Sequence, residues 1–345
     1  MKFLEEWNTK ITLVEPDSLS ISGYPLENLV ASRGLLETAH VLVNGELPSP
    51  AVAEEMKRTM RMAAGLPAPP VKHLGGDDVS KTIAKCLLMD ESLPSDGEPH
   101  MQTAFCIGRM MRYVAHVNNN SLEGEDVVSM LESALGGKKG SGRLLEAITV
   151  ACVDHGVTPP SAQATLIAAS TRASYEVAVA SGISAITDVH GGAGFKAAFF
   201  FHEAVSSNEE GSDIEKSVEI SVSRNIAEKK RIPGLGHRVH KNDPRRDVLW
   251  NLAEETGVAG KHTVASKAIT SIFNRLSGKN LPINVDGVIG ALVADMGLDF
   301  VHAKTLFIIG RTAGLSAHYF EELEMPKMRK LDFSKCTYSG SPRRA

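Results

Sequence analysis

Apolar residues along this chain recur mostly at spacings of three and four, the period of helices, and seldom in alternation. Leu26, Leu29, Val30, Leu36 and Val43 share such a spacing. They predict a helix opened by Pro25 and stopped by Gly45. Ser49-Pro50 starts another, through about Ala64, and "GLPAPP" breaks it. From Lys81 to Val153 the pattern predicts several helices parted by "PSDGEP", "NNNSLEG" and "GGKKGSG". "VTPPSAQATLIAASTRASYEVAVASGISAITDV" predicts two tightly packed helices rich in small residues, with Pro160 in the first turn of the first. A Phe-rich helix follows "HGGAG", and then comes an acidic stretch, "SSNEEGSDIEKS". Helices are expected again near Asp247–Thr256, Lys261–Leu276, Asp286–Met296 and Phe300–Leu323. Alternation is confined to "TKITLVEPDSLSISGY", which predicts a short hairpin. No internal repeat is visible, and the class is all-α.

Length and charge narrow the picture. A chain of 345 residues is more than one core usually fills, so two domains are expected. A net charge of −4 offers no broad basic field, which argues against nucleic acid as a partner. No apolar run reaches bilayer-spanning length, and "MKFLEEWNTK" lacks the apolar core of a signal peptide. The expected setting is therefore cytoplasmic. Cys86, Cys106, Cys152 and Cys336 show no CxxC spacing; they read as reduced, mostly buried thiols rather than zinc ligands.

Candidate chemistry gathers on glycine-rich or helix-start segments: His155 in "VDHGVTPPS", His190 in "TDVHGGAG", His237 in "PGLGHRVHKNDPRRD" and Asp286 in "LPINVDGVIG". Read alone, Asp286 is most simply a helix N-cap, and His155 is equally a structural histidine. The glycines after His190 let backbone come close to a ligand or another helix. His237 and His240 make a weak metal pair, because no HExxH pattern surrounds them. "GGKKGSGR" lacks the Lys-Ser/Thr pair of a phosphate loop, and no GxSxG occurs. Arg245 and Arg311 are more informative. Arg311 lies in an apolar helical run, where a charge is costly unless paired, either in a buried salt bridge or with a substrate carboxylate.

In this order, "SGYPLENLVASRGLLETAHVLVNGELPSP", "VDHGVTPPS", "HGGAG", "PGLGHRVHKNDPR", "NVDG" and "GRTAGLSAHYFEE" resemble the citrate synthase family over nearly the whole chain. "DHGVTPPS", "LPINVDGVIGALVADM" and "GRTAGLSAHYFEE" look more like citryl-CoA lyases and the lyase domain of ATP-citrate lyase. The length between "GELP" and "DHG" is that of a full-length synthase. The resemblance implies an all-α homodimer. Its large discontinuous domain would span 1–191 and 298–345, and a smaller one, 192–297, would close over the active site.

The family reaction joins the methyl carbon of acetyl-CoA to the ketone of oxaloacetate, or reverses that step through citryl-CoA. The resemblance makes Asp286 the base. It makes His190 a donor to the thioester oxygen and His237 a donor to the ketone oxygen. His155, Arg245 and Arg311 would hold oxaloacetate. The loop of Gly234, Leu235, Gly236 and Arg238 would pass close to CoA, with Lys241 near its phosphates. CoA thioester is a co-substrate here, and no metal or permanently bound cofactor is implied. Family members often carry an arginine near the C-terminus that reaches the neighbouring subunit's substrate. Arg329 is the candidate, although its "RPR" setting is missing from "EMPKMRKLDFSKCTYSG". Thr187-Asp188-Val189 stand where synthases have "GPL". Two other readings remain open: the same chemistry on a homologous 2-oxo acid or acyl-CoA (2-methylcitrate type), and a non-catalytic helical interaction protein.

Overall fold

The computed structural model describes residues 7–73, 78–206, 213–236 and 242–329. The expected hairpin is present and gains a third strand: β1 (Thr12–Glu15), β2 (Ser18–Ile21) and β3 (Tyr24–Pro25) form an antiparallel meander. Leu13 pairs with Ser20, and Ile21 with Tyr24. Leu19 and Ile21 point inward, both fully buried. That is the inside/outside alternation a half-covered strand requires.

Fifteen helices follow among the described residues. The first nine are α1 (Leu26–Ser32), α2 (Leu35–Asn44), α3 (Pro50–Gly65), α4 (Val79–Leu88), α5 (Pro99–Val117), α6 (Val127–Leu135), α7 (Gly142–Ala151), α8 (Pro160–Ser170) and α9 (Tyr175–Ser184). Then come α10 (Ala193–Ser206), α11 (Ile214–Ala227), α12 (Arg245–Glu255), α13 (Lys261–Ser277), α14 (Val285–Asp295) and α15 (Val301–Leu323). The all-α class holds.

Two details differ from the sequence reading. The single helix expected from Leu26 to Val43 is broken at Arg33-Gly34. Glu146 of α7 accepts the Leu35 N–H at 2.9 Å, and Glu37 accepts the Gly34 N–H at 3.1 Å. These carboxylates satisfy N–H groups that would otherwise continue the helix, so a second helix starts there. The other difference is α11, where only an acidic stretch was expected. Asp213 caps it by accepting the Glu215 N–H, and Val218 and Val222, one turn apart, are both fully buried.

Helix α15 is the spine. It packs on α2, α5, α7, α8 and α9, and nearly all of its residues are buried. Gly310 and Gly314 permit this, since a Cβ at either would overlap the carbonyl oxygen of Thr149 or Val153. The end of α7 and the loop after it therefore lie directly on α15. On the far side, α10 and α14 pack closely on each other, and α11 and α13 pack together beside them. Cys86, Cys106 and Cys152 are buried and unpaired.

Candidate active site

Five separate segments bound one cavity of about 410 Å³: the loop after α7, the loop between α9 and α10, the start of α12, the first turn of α14 and the middle of α15. Its wall includes His155, His190, Arg245, Asp286, Phe307 and Arg311. Five residues singled out from the sequence, up to 156 positions apart (155 to 311), thus meet at one place.

Asp286 does not cap its helix. Asn284 does, accepting the Gly287 N–H at 3.1 Å. Asp286 stands in the first turn, where the helix dipole favours a negative charge. No hydrogen bond from a described residue reaches its carboxylate. Burial pushes the carboxyl above its usual range; Arg245 opposes that, Asp243 adds to it, and Arg311 opposes it. An acid held in this way is a stronger base once ionised.

The two arginines differ. Arg245, 4 % exposed, is fully engaged. Nε and Nη2 form a fork on Asp243 at 2.9 and 2.8 Å, and Nη1 donates to the Ala151 carbonyl at 3.0 Å. Asp243 also accepts the Val285 N–H at 3.1 Å, joining this pair to the start of α14. Burial opposes the charge on each partner, but the mutual attraction wins, holding the Asp243 carboxyl well below its usual range and raising the Arg245 guanidinium. The cavity therefore does not receive two uncommitted cations. Arg311, 3 % exposed, donates from Nε to the Cys152 carbonyl at 3.1 Å and lies 4.8 Å over the Phe307 ring. Among the described residues its buried Nη1 has no hydrogen-bond partner, and none of their carboxylates lies within ion-pair distance. The buried salt bridge that would have explained Arg311 is absent among those residues. An arginine left with an unfilled donor in a cavity suits an anionic ligand.

His190 sits in a tight turn, with Thr187 N–H donating to its carbonyl at 2.8 Å and its own N–H to Thr187 at 3.1 Å. Ser161 Oγ lies 2.9 Å from Nε2, and the Phe307 ring meets the imidazole edge-on at 5.7 Å. These contacts fix the ring against the cavity. Cys152 is a neutral part of the wall, its thiol pushed up to about 12, chiefly by burial.

The glycine loop has a different place. Gly234 and Gly236 have left-handed φ of +81° and +83°. A Cβ on Gly234 would overlap Gly287 Cα, so loop and helix touch backbone to backbone. Asn284 N–H donates to the Gly234 carbonyl at 2.9 Å, Asn284 Nδ2 to the Gly236 carbonyl at 2.7 Å, and Leu235 bridges Ile283. Gly234, Leu235 and Gly236 therefore brace the turn that presents Asp286 and lie outside the cavity wall. Pro233 borders a second cavity, about 480 Å³, lined by Lys196, Arg224, Lys230 and Arg231, by Glu203 and Glu228, and by Phe195, Phe199 and Phe200; Glu228 pairs with Lys230 at 2.7 Å. His237, Arg238, His240 and Lys241 lie outside the described residues. Arg329 does not reach its own chain's cavity. It donates to Glu322 at 2.7 Å and lies 4.4 Å over the Trp7 ring.

Sequence reasoning missed Asp243, Ser161, Asn284 and Phe307. Phe307 had a signal, since it stands four residues before Arg311 on the same helical face.

A family model described as citrate synthase, C-terminal domain, matches residues 4–331. A citrate synthase of Thermoplasma acidophilum is 24% identical across 99% of this chain and 96% of its own length. A solved citrate synthase from Thermotoga maritima MSB8 superposes with a TM-score of 0.80 at 23% identity, covering 99% of this chain and 95% of that one. A citryl-CoA lyase from Hydrogenobacter thermophilus is 28% identical, with a TM-score of 0.55, covering 98% of this chain and 96% of that one.

Proposed function

The chain belongs to the citrate synthase family, and from that premise we propose that it makes or breaks the carbon–carbon bond between acetyl-CoA and oxaloacetate. The observation that carries this reading is the pairing of Asp286, a half-buried carboxyl with no hydrogen bond from a described residue, with Arg311, whose Nη1 has no partner among those residues, around one cavity. One group suits proton abstraction and the other suits a carboxylate.

In the joining direction, Asp286 removes a methyl proton from acetyl-CoA while His190 donates a hydrogen bond to the thioester oxygen as enolate charge develops. Ser161 holds the His190 ring for that task. Arg311 takes an oxaloacetate carboxylate, His155 contacts the same acid, and Arg245, already neutralised by Asp243, shapes that side of the site. His237 is assigned to the ketone oxygen by its motif alone. In the cleaving direction, His237 takes the hydroxyl proton of citryl-CoA and Asp286 returns a proton to the departing carbon. The cavity beside Pro233, with four basic side chains against Glu203 and Glu228, suits the phosphates of CoA, and its phenylalanines suit a purine face. Lys241 is assigned to the same phosphates by its motif alone.

A homodimer completes the proposal. Leu88 and Met89 at the end of α4, Ile167 on α8 and Val177 on α9 are large exposed apolar side chains. Their helices pack side by side, and a second copy would cover them. The Met328 N–H donates to the Ser170 carbonyl at the end of α8, which brings Arg329 beside this face. That placement suits an arginine that reaches the neighbouring subunit. The family reading thus takes in a small domain, 192–297, closing over the cavity.

Synthase and lyase are separated by giving the purified enzyme citryl-CoA and identifying products by mass spectrometry. Acetyl-CoA with oxaloacetate marks a lyase, and citrate with free CoA marks a synthase. If neither pair forms, the proposed substrates are wrong.

A further inference from the structure

Three contacts, two of them hydrogen bonds, join the loop after α7 to the spine helix α15. Arg311, Gly314 and His318 lie three and seven residues apart along α15, so they form one row on its surface. They meet three consecutive loop residues. Arg311 Nε donates to the Cys152 carbonyl at 3.1 Å, Gly314 leaves room for the Val153 carbonyl, and His318 Nε2 donates to Asp154 Oδ1 at 3.1 Å. Asp154 and His318 are both fully buried. The other carboxylate oxygen of Asp154 accepts from Thr12 Oγ1 at 2.6 Å and from the Gly156 N–H at 2.8 Å. The last bond closes a turn whose apex is His155.

We propose that Asp154 and His318 are a positioning pair: they lock the loop that carries His155 to the helix that carries Arg311, so that both groups meet the same anionic substrate in fixed register. The inference rests on the reading that this cavity takes a dicarboxylic 2-oxo acid. Geometry supports it in two ways. The pair sits two helical turns beyond Arg311. Asp154 is also followed directly by His155, so a shift in one bond moves both ligands of the substrate. Electrostatics act in the same sense. Burial alone would push the Asp154 carboxyl up, but His318, Arg311 and Thr12 hold it well below its usual range. The buried negative charge in turn favours the charged form of Arg311, which burial opposes. A mere strut in the core would affect folding and leave the balance between the two substrates alone.

The test uses the full chain with His318→Leu, His318→Gln and Thr12→Val, each substrate varied in turn. His318→Leu is expected to raise KM for oxaloacetate about tenfold or more while KM for acetyl-CoA changes less than about twofold. His318→Gln still donates to Asp154 and should return KM for oxaloacetate to within about threefold of the parent. Thr12→Val removes one hydrogen bond without stranding a charge, so it serves if His318→Leu does not fold; about a threefold rise confined to oxaloacetate is expected. Equal changes in both KM values, no change in either, or a folded Gln variant as impaired as the Leu variant overturns the pair. If the parent turns over neither oxaloacetate nor citryl-CoA, the proposed function has failed. The pair is then judged by crystal structures of the parent and Thr12→Val. Displacement of residues 152–156 from α15 supports it, and an unmoved loop overturns it.

Discussion

Helix α14 carries an aspartate in its first turn and another at its last residue, and the two are held in opposite ways. Asp295 ends the helix, where the dipole disfavours a negative charge. Yet its carboxyl is held below the usual range. Burial alone would raise it, but hydrogen bonds from His262 and Thr263 outweigh that. It accepts from the N–H groups of Gly260, His262 and Thr263, from His262 Nδ1 at 2.7 Å and from Thr263 Oγ1 at 2.6 Å. Asp286 has the favourable end of the dipole, and burial still pushes it up. Hydrogen bonds therefore decide these two cases and the macrodipole does not. The fold spends its donors on the carboxylate that caps α13 and withholds them from the one that faces the cavity. That is the difference between a group holding structure and a group kept ready for a proton.

The sharpest way to break this contrast is Asp286→Asn. Turnover should fall about 10³-fold or more, because the base is lost while the cavity keeps its shape. Stability should move the other way. A carboxyl whose folded pKa is raised costs stability once ionised, and the cost grows as pH rises from the unfolded value of about 3.9 through the raised one. Urea unfolding at pH 7 should therefore find Asp286→Asn more stable than the parent, with the gap closing toward pH 4. Wild-type turnover, or a less stable variant, would remove Asp286 from its role.

Asp295→Asn should do the reverse. Placing an amide NH₂ among five donors strands buried groups, at a cost of about 3 kcal/mol in the same urea titration. Here the folded pKa is depressed, so the contribution is present above about pH 3.9 and is lost as pH falls through the lower folded value. The difference between parent and variant should shrink in acid from that side. kcat of the folded fraction should change by less than about threefold, since Asp295 does not line the cavity.

These contrasts also show what a sequence exposes. Helical period and punctuation were enough for the class, for Pro160 at a helix start and for Gly45 at a helix end, where it takes φ of +83°. Arg311 stood out because a charge in an apolar helical run is costly, whereas His155, His190 and Asp286 were singled out by their glycine-rich or helix-start settings and Arg245 by its suitability for a carboxylate, and their roles came from the resemblance. Their partners were not legible. Asp243 reads as an ordinary turn residue before a proline until Arg245 folds back onto it. Nothing local links Asp154 to His318, 164 positions later. The break at Arg33-Gly34 likewise depends on Glu146, 111 positions beyond Leu35. Pairing across the chain is a tertiary fact, and periodicity carries no record of it.

The smallest effect tests what places Asp286 at its end of the helix. Asn284 caps α14 through Oδ1 and ties Nδ2 to the Gly236 carbonyl at 2.7 Å, so one side chain sets both the helix start and the glycine loop. Asn284→Ala should cost about 1–2 kcal/mol in urea unfolding, the usual worth of a cap. Asn284→Asp keeps an acceptor for the Gly287 N–H, so stability should largely return. It loses the donor to Gly236 and adds a negative charge two residues from Asp286, which pushes that carboxyl further up. The acid limb of the kcat/KM profile should then move to higher pH in Asn284→Asp, because the base must be ionised to act. An unmoved limb would mean that Asp286 does not titrate in the pH–rate profile. If Asn284→Asp stayed as unstable as Asn284→Ala, the bond to Gly236 would outweigh the cap, and the glycine loop would be the part that holds the base in place.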